Sequence, residues 1–363
     1  MEFEAFRSEF PVLGERAYLN TGTDGPLPAR SVAAIEAQLE RELRGGRSGL
    51  AHFGDLDRLA EELRAALAGL LGASADEIAL THSTTDGINV VLAALGLSAE
   101  DEVLTSDEEH PGLLAPLGAL RRRGVSVRVA PFDRIAEQVE DRTSLVAISH
   151  VSWLRGAVAP LEELRATRVP LLVDGAQALG AIPVDVRTIG CDFYAAAGQK
   201  WLCGPDATGV LFVADERIEE LGVPLPNYMT LADVERPLDL SPRSGARRFD
   251  GGMIAGPLVA GALGALRLLE EAGWQWIFDC AARQAAKLRG LLDSKVEVLP
   301  GGPTTLVSWR PRDVETAEDA LARVQRCYEA GVVVRSFPGK PFLRASVGAW
   351  NSDDDLDRLL ACL

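Results

Sequence analysis

Arginine supplies nearly all the positive charge of this chain, and only four lysines occur: Lys200, Lys287, Lys295 and Lys340. Lys287 lies in an amphipathic helical run and Lys295 just beyond it, both in solvated settings. Lys200 instead follows Ala195-Ala196-Ala197-Gly198-Gln199 and precedes Trp201-Leu202-Cys203-Gly204-Pro205, among small and apolar neighbours. A partly buried amine has a lowered pKa and attacks carbonyl carbon. Upstream, the apolar run Leu171-Leu172-Val173 leads straight into Asp174-Gly175-Ala176-Gln177. A carboxylate there can keep a pyridine nitrogen protonated and so make the ring an electron sink; a helix-capping aspartate is the plainer alternative. His110 closes Asp107-Glu108-Glu109-His110 after a short apolar run, placed to stack on a planar ring or shuttle protons, or simply to sit in a surface loop. His82-Ser83-Thr84-Thr85-Asp86-Gly87-Ile88-Asn89 opens a helix with free N–H groups and hydroxyls, which suits a phosphate or an ordinary N-cap. Phosphate anchor, ring stacking, pyridinium partner and aldehyde partner are the four requirements of pyridoxal 5′-phosphate (PLP).

These residues fall where short apolar runs end. Ile78–Thr81, Glu102–Thr105, Val125–Ala130, Leu145–Ser149, Pro170–Val173, Asp192–Ala195 and Gly209–Val213 read as buried strands. Helical patterns at Thr85–Leu95, Leu113–Arg123 and Leu161–Ala166 separate several of them, and Arg30–Arg44 and Asp55–Leu71 precede them, the second with Asp55 as N-cap. Such alternation predicts an α/β fold with a mostly parallel sheet covered on both faces, whose ligands bind at the strands' carboxyl ends. Residues 222–250, rich in proline and charge, read as an irregular excursion. Helices at Leu258–Glu271, Ile277–Leu292 and Glu315–Ala330 follow, with strands at Thr305–Trp309, Val332–Arg335 and Phe342–Val347 and a terminal helix from Asp353. The expected organisation is a large α/β domain over residues 17–250 and a smaller α+β domain from residues 1–16 and 251–363.

Composition excludes several classes. A formal net charge of -16 argues against a nucleic-acid partner. No apolar stretch reaches the ~18 residues of a membrane helix, and the N-terminus has no signal-peptide pattern. The five cysteines are widely spaced without a CxxC pair, so neither a disulfide framework nor a metal site is expected and a reducing cytoplasm fits. No GxGxxG or P-loop motif is present.

With these residues in hand, the sequence resembles the class V aminotransferase group of fold-type I PLP enzymes. That group includes cysteine desulfurases, cystine C–S lyases and isopenicillin-N-epimerase-like proteins. The resemblance runs from Tyr18-Leu19-Asn20 to the Ala345–Arg358 tail. It is carried by Ser83–Asn89, Asp174–Gln177, Cys191-Asp192-Phe193-Tyr194, Gly198-Gln199-Lys200-Trp201 with Gly204-Pro205, and Leu343-Arg344-Ala345-Ser346. It implies Lys200 as the Schiff-base lysine, Asp174 on the ring nitrogen, His110 over the ring and Gln177 at the ring hydroxyl. It further implies Thr85, the backbone of Thr84, and Gln199 at the phosphate. Arg344 matches the arginine that pairs with the substrate carboxylate, Arg335 a second substrate-region arginine, and the active site would form between two subunits of a homodimer.

The departures from the pattern bear on the reaction. Desulfurases carry a sulfur-accepting cysteine between the positions matching Arg335 and Arg344, whereas Ser336–Leu343 holds none. Trp153 stands where asparagine is common, as in the cystine-lyase branch, and adjacent Arg155 could meet a second acidic group; a core tryptophan beside a surface arginine is the alternative. Ala197 and Gln199 stand where many relatives have serine and histidine, and Met253 where the neighbouring subunit usually lends a threonine. The leading reading is a PLP-dependent lyase that removes a β-substituent from a cysteine-like amino acid, giving keto acid and ammonia. An aminotransferase or amino-acid epimerase is the alternative within PLP chemistry, and a non-catalytic PLP-fold binding protein the alternative outside it.

Overall fold

A computed structural model of the chain describes residues 1–252 and 255–363. Its centre is a seven-stranded sheet. The strands are β1 (Ile78–Thr81), β2 (Glu102–Ser106), β3 (Ser126–Ala130), β4 (Thr143–Ser149), β5 (Leu171–Asp174), β6 (Phe193–Ala197) and β7 (Gly209–Val213). Their order is β1-β7-β6-β5-β4-β2-β3, and only β7 runs antiparallel to its neighbours. The sheet has two buried faces because alternate residues of each strand point to opposite sides. Leu80, Leu104, Val146, Ile148 and Val173 belong to one core cluster, and Ala79, Val103, Leu145, Ala147 and Leu172 to the other.

Helices cover both faces. In the helix Gly49–Leu71, Leu59, Leu63 and Leu67 recur at helical spacing and join the first cluster. On the opposite face, Thr84–Ala94 contributes Ile88 and Val91, and Pro111–Arg122 contributes Leu113, Leu117 and Leu120. The first of these three helices begins earlier than its sequence suggests. Ser48 occupies the N-cap position, and Asp55 lies inside, held by Arg58 and Gln38. Gly49 and Gly54 hide that opening turn from a propensity reading.

A second, four-stranded antiparallel sheet has the order β10-β11-β9-β8, with β8 (Glu297–Val298), β9 (Leu306–Arg310), β10 (Arg335–Phe337) and β11 (Lys340–Ser346). The run expected as one strand from Val332 to Arg335 divides. Val332 and Val333 pair with Ala17 and Tyr18, and the chain then changes partner to begin β10. Packing crosses between the two sheets' sequence ranges. The helix Gly256–Ala272 lays Val259, Ala262, Leu263 and Leu266 into the core of the large sheet, while Ala17 and Leu19 belong to the core of the small one. The N-terminal segment is tied to the small domain by Arg7, which donates to Asp355.

Phe193 is fully buried, whereas Leu114 on the helix Pro111–Arg122 is 39% exposed. Phe193→Ala is expected to cost ~3–5 kcal/mol through the cavity it leaves, and Leu114→Ala less than ~1 kcal/mol. Thermal unfolding followed by circular dichroism checks the contrast, and equal midpoints would contradict this core.

Candidate active site

The carboxyl ends of β1, β2, β4, β5 and β6 converge on one cavity of about 180 Å³. Its walls include Thr84, Thr85, His110, Trp153, Asp174, Gln177, Gln199 and Lys200, so residues far apart in sequence meet at one point. Ser149, Ser83, Ala176 and Ala197 complete it.

At one end lies the start of the helix Thr84–Ala94, whose cap Ser83 accepts from the Asp86 N–H. Thr84 Oγ1 and Gln199 Oε1 are buried there without a hydrogen-bond partner among the described residues. Leaving a buried polar atom unpaired costs ~1–3 kcal/mol, so this end is built for a polar guest. Thr85 has its hydroxyl donated to the Gly112 carbonyl (3.1 Å), which leaves its N–H for an anion. The Gly112 N–H in turn donates to His110 Nδ1 (2.9 Å). A side chain at Gly112 would collide with Thr85 Oγ1 at 2.6 Å, so this contact requires glycine.

His110 is therefore an acceptor at Nδ1. Burial, then the cations Lys200, Arg335 and Arg344, push its pKa down to about 4, so it stands as neutral imidazole at pH 7. Asp174 has one oxygen held by the Ala176 N–H (2.9 Å), and burial raises its carboxyl while Lys200 opposes the rise. Burial lowers the Lys200 amine, with Asp174 opposing and Arg344 reinforcing. Such an amine is closer to its neutral, nucleophilic form than an exposed lysine. Gln177 donates to the Gly22 carbonyl (2.7 Å) and accepts from the Trp201 indole (3.2 Å).

The small sheet brings Arg344 beside this cavity, next to its wall residue Gln177: a Cβ on Gly22 would lie 2.7 Å from both side chains. Arg344, on β11, is fully buried and donates from Nη1 to the Trp153 carbonyl (2.6 Å). Its Nε and Nη2 have no partner among the described residues. Trp153 sets its ring edge-on to His110 (4.7 Å) and to Phe337 (5.2 Å), and the Arg335 guanidinium lies 5.3 Å from its centroid. Arg155 does not reach this space: it pairs with Glu108 and Asp133 at 2.7 Å each and so anchors the Trp153 turn. Met253 lies outside the described residues.

Three contributors escape a sequence reading. Phe337 falls in the short stretch between two expected strands, where nothing marks it as functional. The segment from Gly22 to Gly25 shows no pattern that assigns it a role. In the fold it straps the cavity: a Cβ on Gly22 would meet Arg344 Nη2 at 2.7 Å, and one on Gly25 the Lys200 carbonyl at 2.1 Å. Glu109 is the third. Its carboxylate accepts from Ser106 Oγ and from both the N–H and the hydroxyl of Ser149. Nothing but the neighbouring His110 marks it in the sequence.

This arrangement is that of the fold-type I PLP-dependent enzymes, and the chain belongs to the aminotransferase class-V family, whose pattern it matches over residues 17–359. A probable cysteine desulfurase of Methanothermobacter thermautotrophicus is 34% identical over 247 residues, 64% of this chain and 62% of that protein. The isopenicillin N epimerase of Streptomyces clavuligerus is 29% identical over 95% of this chain and 93% of its own. Among solved structures, the cystine C–S lyase C-DES in complex with its product cysteine persulfide is 28% identical, with a TM-score of 0.90 over 97% of this chain and 98% of that one.

Burial pushes the Glu109 carboxyl up to about 7. A raised folded pKa means that stability is full below the unfolded value, ~4.5, and declines as pH rises through 7. Glu109→Gln keeps the shape and removes the titration. The variant's thermal midpoint relative to wild type is expected to rise between pH 5 and pH 8.5, and a constant or falling difference would refute the assignment.

Proposed function

We propose that this protein is a PLP-dependent lyase that cleaves the Cβ–S bond of a cysteine-like amino acid and releases a keto acid and ammonia. Bound PLP supplies an aldehyde carbon for amines and a ring that takes up the electron pair left at Cα. The cavity suits that guest: unpartnered Thr84 and Gln199 atoms at the phosphate end, Asp174 for the ring nitrogen, Gln177 for the ring hydroxyl and His110 against the ring face. Lys200 would hold the aldehyde, and its amine lines the same cavity, where it could take a proton from Cα. Trp153 packs beside the reacting end.

The observation that carries the substrate class is Arg344. A fully buried guanidinium with two unsatisfied nitrogens is costly unless a carboxylate fills the gap. The α-carboxylate of an amino acid fits its fork, with Arg335 beside it.

Cleavage without a protein persulfide is favoured by the hairpin between Arg335 and Arg344. Phe337 pairs with Lys340 across a tight turn at Pro338-Gly339, which leaves no length for a loop bearing a thiol. Cys191, Cys203, Cys280 and Cys327 are buried and Cys362 lies at the C-terminal tail; burial raises the Cys191 and Cys203 thiols away from the thiolate form. Free cysteines suit a reducing cytoplasm. Relatedness to an epimerase keeps reprotonation at Cα as the second reading.

The protein is further read as a homodimer. Leu39 and Leu43, on the helix Ala29–Gly45, and Leu50 and Phe53, near the start of the helix Gly49–Leu71, are 51%, 78%, 94% and 50% exposed. Apolar groups so exposed mark an association surface. Light scattering is expected to give twice the chain mass, and a monomer at micromolar concentration would remove this reading.

With added PLP and no keto-acid acceptor, cystine or an S-substituted cysteine should yield stoichiometric pyruvate and ammonia. Lys200→Ala should retain no covalently held cofactor after borohydride treatment and lose at least ~10³-fold in turnover. Turnover only when a keto acid is supplied would make the protein an aminotransferase instead.

A further inference from the structure

The turn that carries Asp174 rests on two buried side chains, His150 and Tyr194, that do not themselves line the cavity. Asp174 ends β5, and its carbonyl accepts from the His150 N–H just past β4 (2.9 Å). The next residue, Gly175, donates its N–H to the Ala195 carbonyl of β6 (2.7 Å). The turn is thus suspended between its two flanking strands. Beneath it stands Tyr194, whose ring fills the space that a side chain at position 175 would need. A Cβ on Gly175 would lie 2.1 Å from Tyr194 Cε1 and 2.6 Å from the phenolic oxygen. Val173 and Tyr194 share one core cluster, and alternation along β5 turns the Asp174 side chain the other way, into the cavity.

The Tyr194 hydroxyl lies 3.0 Å from His150 Nδ1, with the two rings edge to face at 5.9 Å. Both groups are uncharged at pH 7. Burial lowers the His150 pKa to about 4, and burial, with Cys191 and Asp174, raises that of the phenol. The hydroxyl has no other partner among the described residues, so it donates to Nδ1 and the imidazole keeps its proton on Nε2. A phenol and an imidazole are costly to bury, and apolar side chains of similar size would fill the same core without that cost. What the polar pair adds is direction. It joins the ring under Gly175 to the residue whose N–H holds the Asp174 carbonyl, so that strut, turn and hydrogen bonds close on one another. The Ala176 N–H fixes one Asp174 oxygen directly; the strut fixes the backbone that carries it.

We propose that Tyr194 and His150 are positioning residues that set the Asp174 carboxylate at the height at which it keeps the ring nitrogen of PLP protonated. The inference rests on the reading of Asp174 as the ring-nitrogen partner. A hydrogen-bonded ion contact weakens steeply with distance and angle, so a small sag of the turn loosens it.

The test uses holoenzymes loaded with PLP carrying nitrogen-15 in its ring. The nitrogen-15 chemical shift reads ring protonation, and equilibrium dialysis reads the Kd for PLP. Tyr194→Phe and His150→Leu are expected to raise that Kd about fivefold and to move the shift toward the value of Asp174→Asn. His150→Asn, whose amide oxygen can accept in place of Nδ1, should restore most of both. Because the pair acts through Asp174, adding Tyr194→Phe to Asp174→Asn should change neither readout further. A wild-type shift in both Tyr194→Phe and His150→Leu, whatever their thermal midpoints, would reduce the pair to core packing and overturn the proposal. Additive effects in the double variant would overturn it too. If Asp174→Asn itself leaves the shift unmoved, the reading of Asp174 falls and takes the proposal with it. Should Tyr194→Phe fail to fold, His150→Leu against His150→Asn decides the same question.

Discussion

The Arg344 guanidinium is the constraint on which the site turns. Taking it out of water is expensive, and a single backbone carbonyl, that of Trp153, offsets part of that cost. That carbonyl belongs to the large domain, while Arg344 rides on β11 of the small sheet. The bond therefore ties the small sheet to the turn that carries Trp153. Gly22 closes over the same guanidinium, and only a residue without a side chain can do so. The Trp153 turn is held in its turn by Glu108 through Ser152 and Arg155. Disturb any of these and the unpaired nitrogens no longer face a defined volume.

A second economy governs the large-domain side. Several ionisable groups crowd one small cavity, and burial weighs against the charged form of each. Burial and neighbouring cations keep His110 neutral, and burial, with a smaller push from Asp174, drives Glu109 toward protonation against the hydrogen bonds of Ser106 and Ser149. Lys200 and Asp174 are each pushed toward neutrality and each restrained by the other. Charge is thus available to a guest rather than spent within the protein. An anion at the helix terminus and a protonated ring nitrogen beside Asp174 would convert these latent groups into a matched set.

Much of this was legible because the sheet is parallel and buried. Strands such as Leu171–Asp174 and Phe193–Ala197 are continuous apolar runs, and functional residues follow directly at their ends. Lys200 stood out for a physical reason: lysine is scarce in this chain and this one has apolar surroundings. Arg344 was reached only through resemblance, since arginine is common here. Glu109 and Phe337 were invisible for another reason. Their significance lies in partners such as Ser149 and Trp153, brought near by tertiary packing. The split at Val334 was hidden likewise, because a strand that changes partner looks continuous in sequence.

The hairpin from Arg335 to Arg344 connects these points to the reaction. In a two-residue turn every side chain's direction is set by the register: Arg335 stands opposite Arg344, and Phe337 opposite Lys340. A longer loop could fold a thiol over the substrate; this one presents an aromatic wall and a braced guanidinium instead. The stretch Ser336–Leu343 brings no thiol over the substrate, so a sulfur leaving Cβ would depart with whatever it was bonded to. The shape of the mouth, rather than a transferred sulfur atom, then decides which leaving groups are accepted.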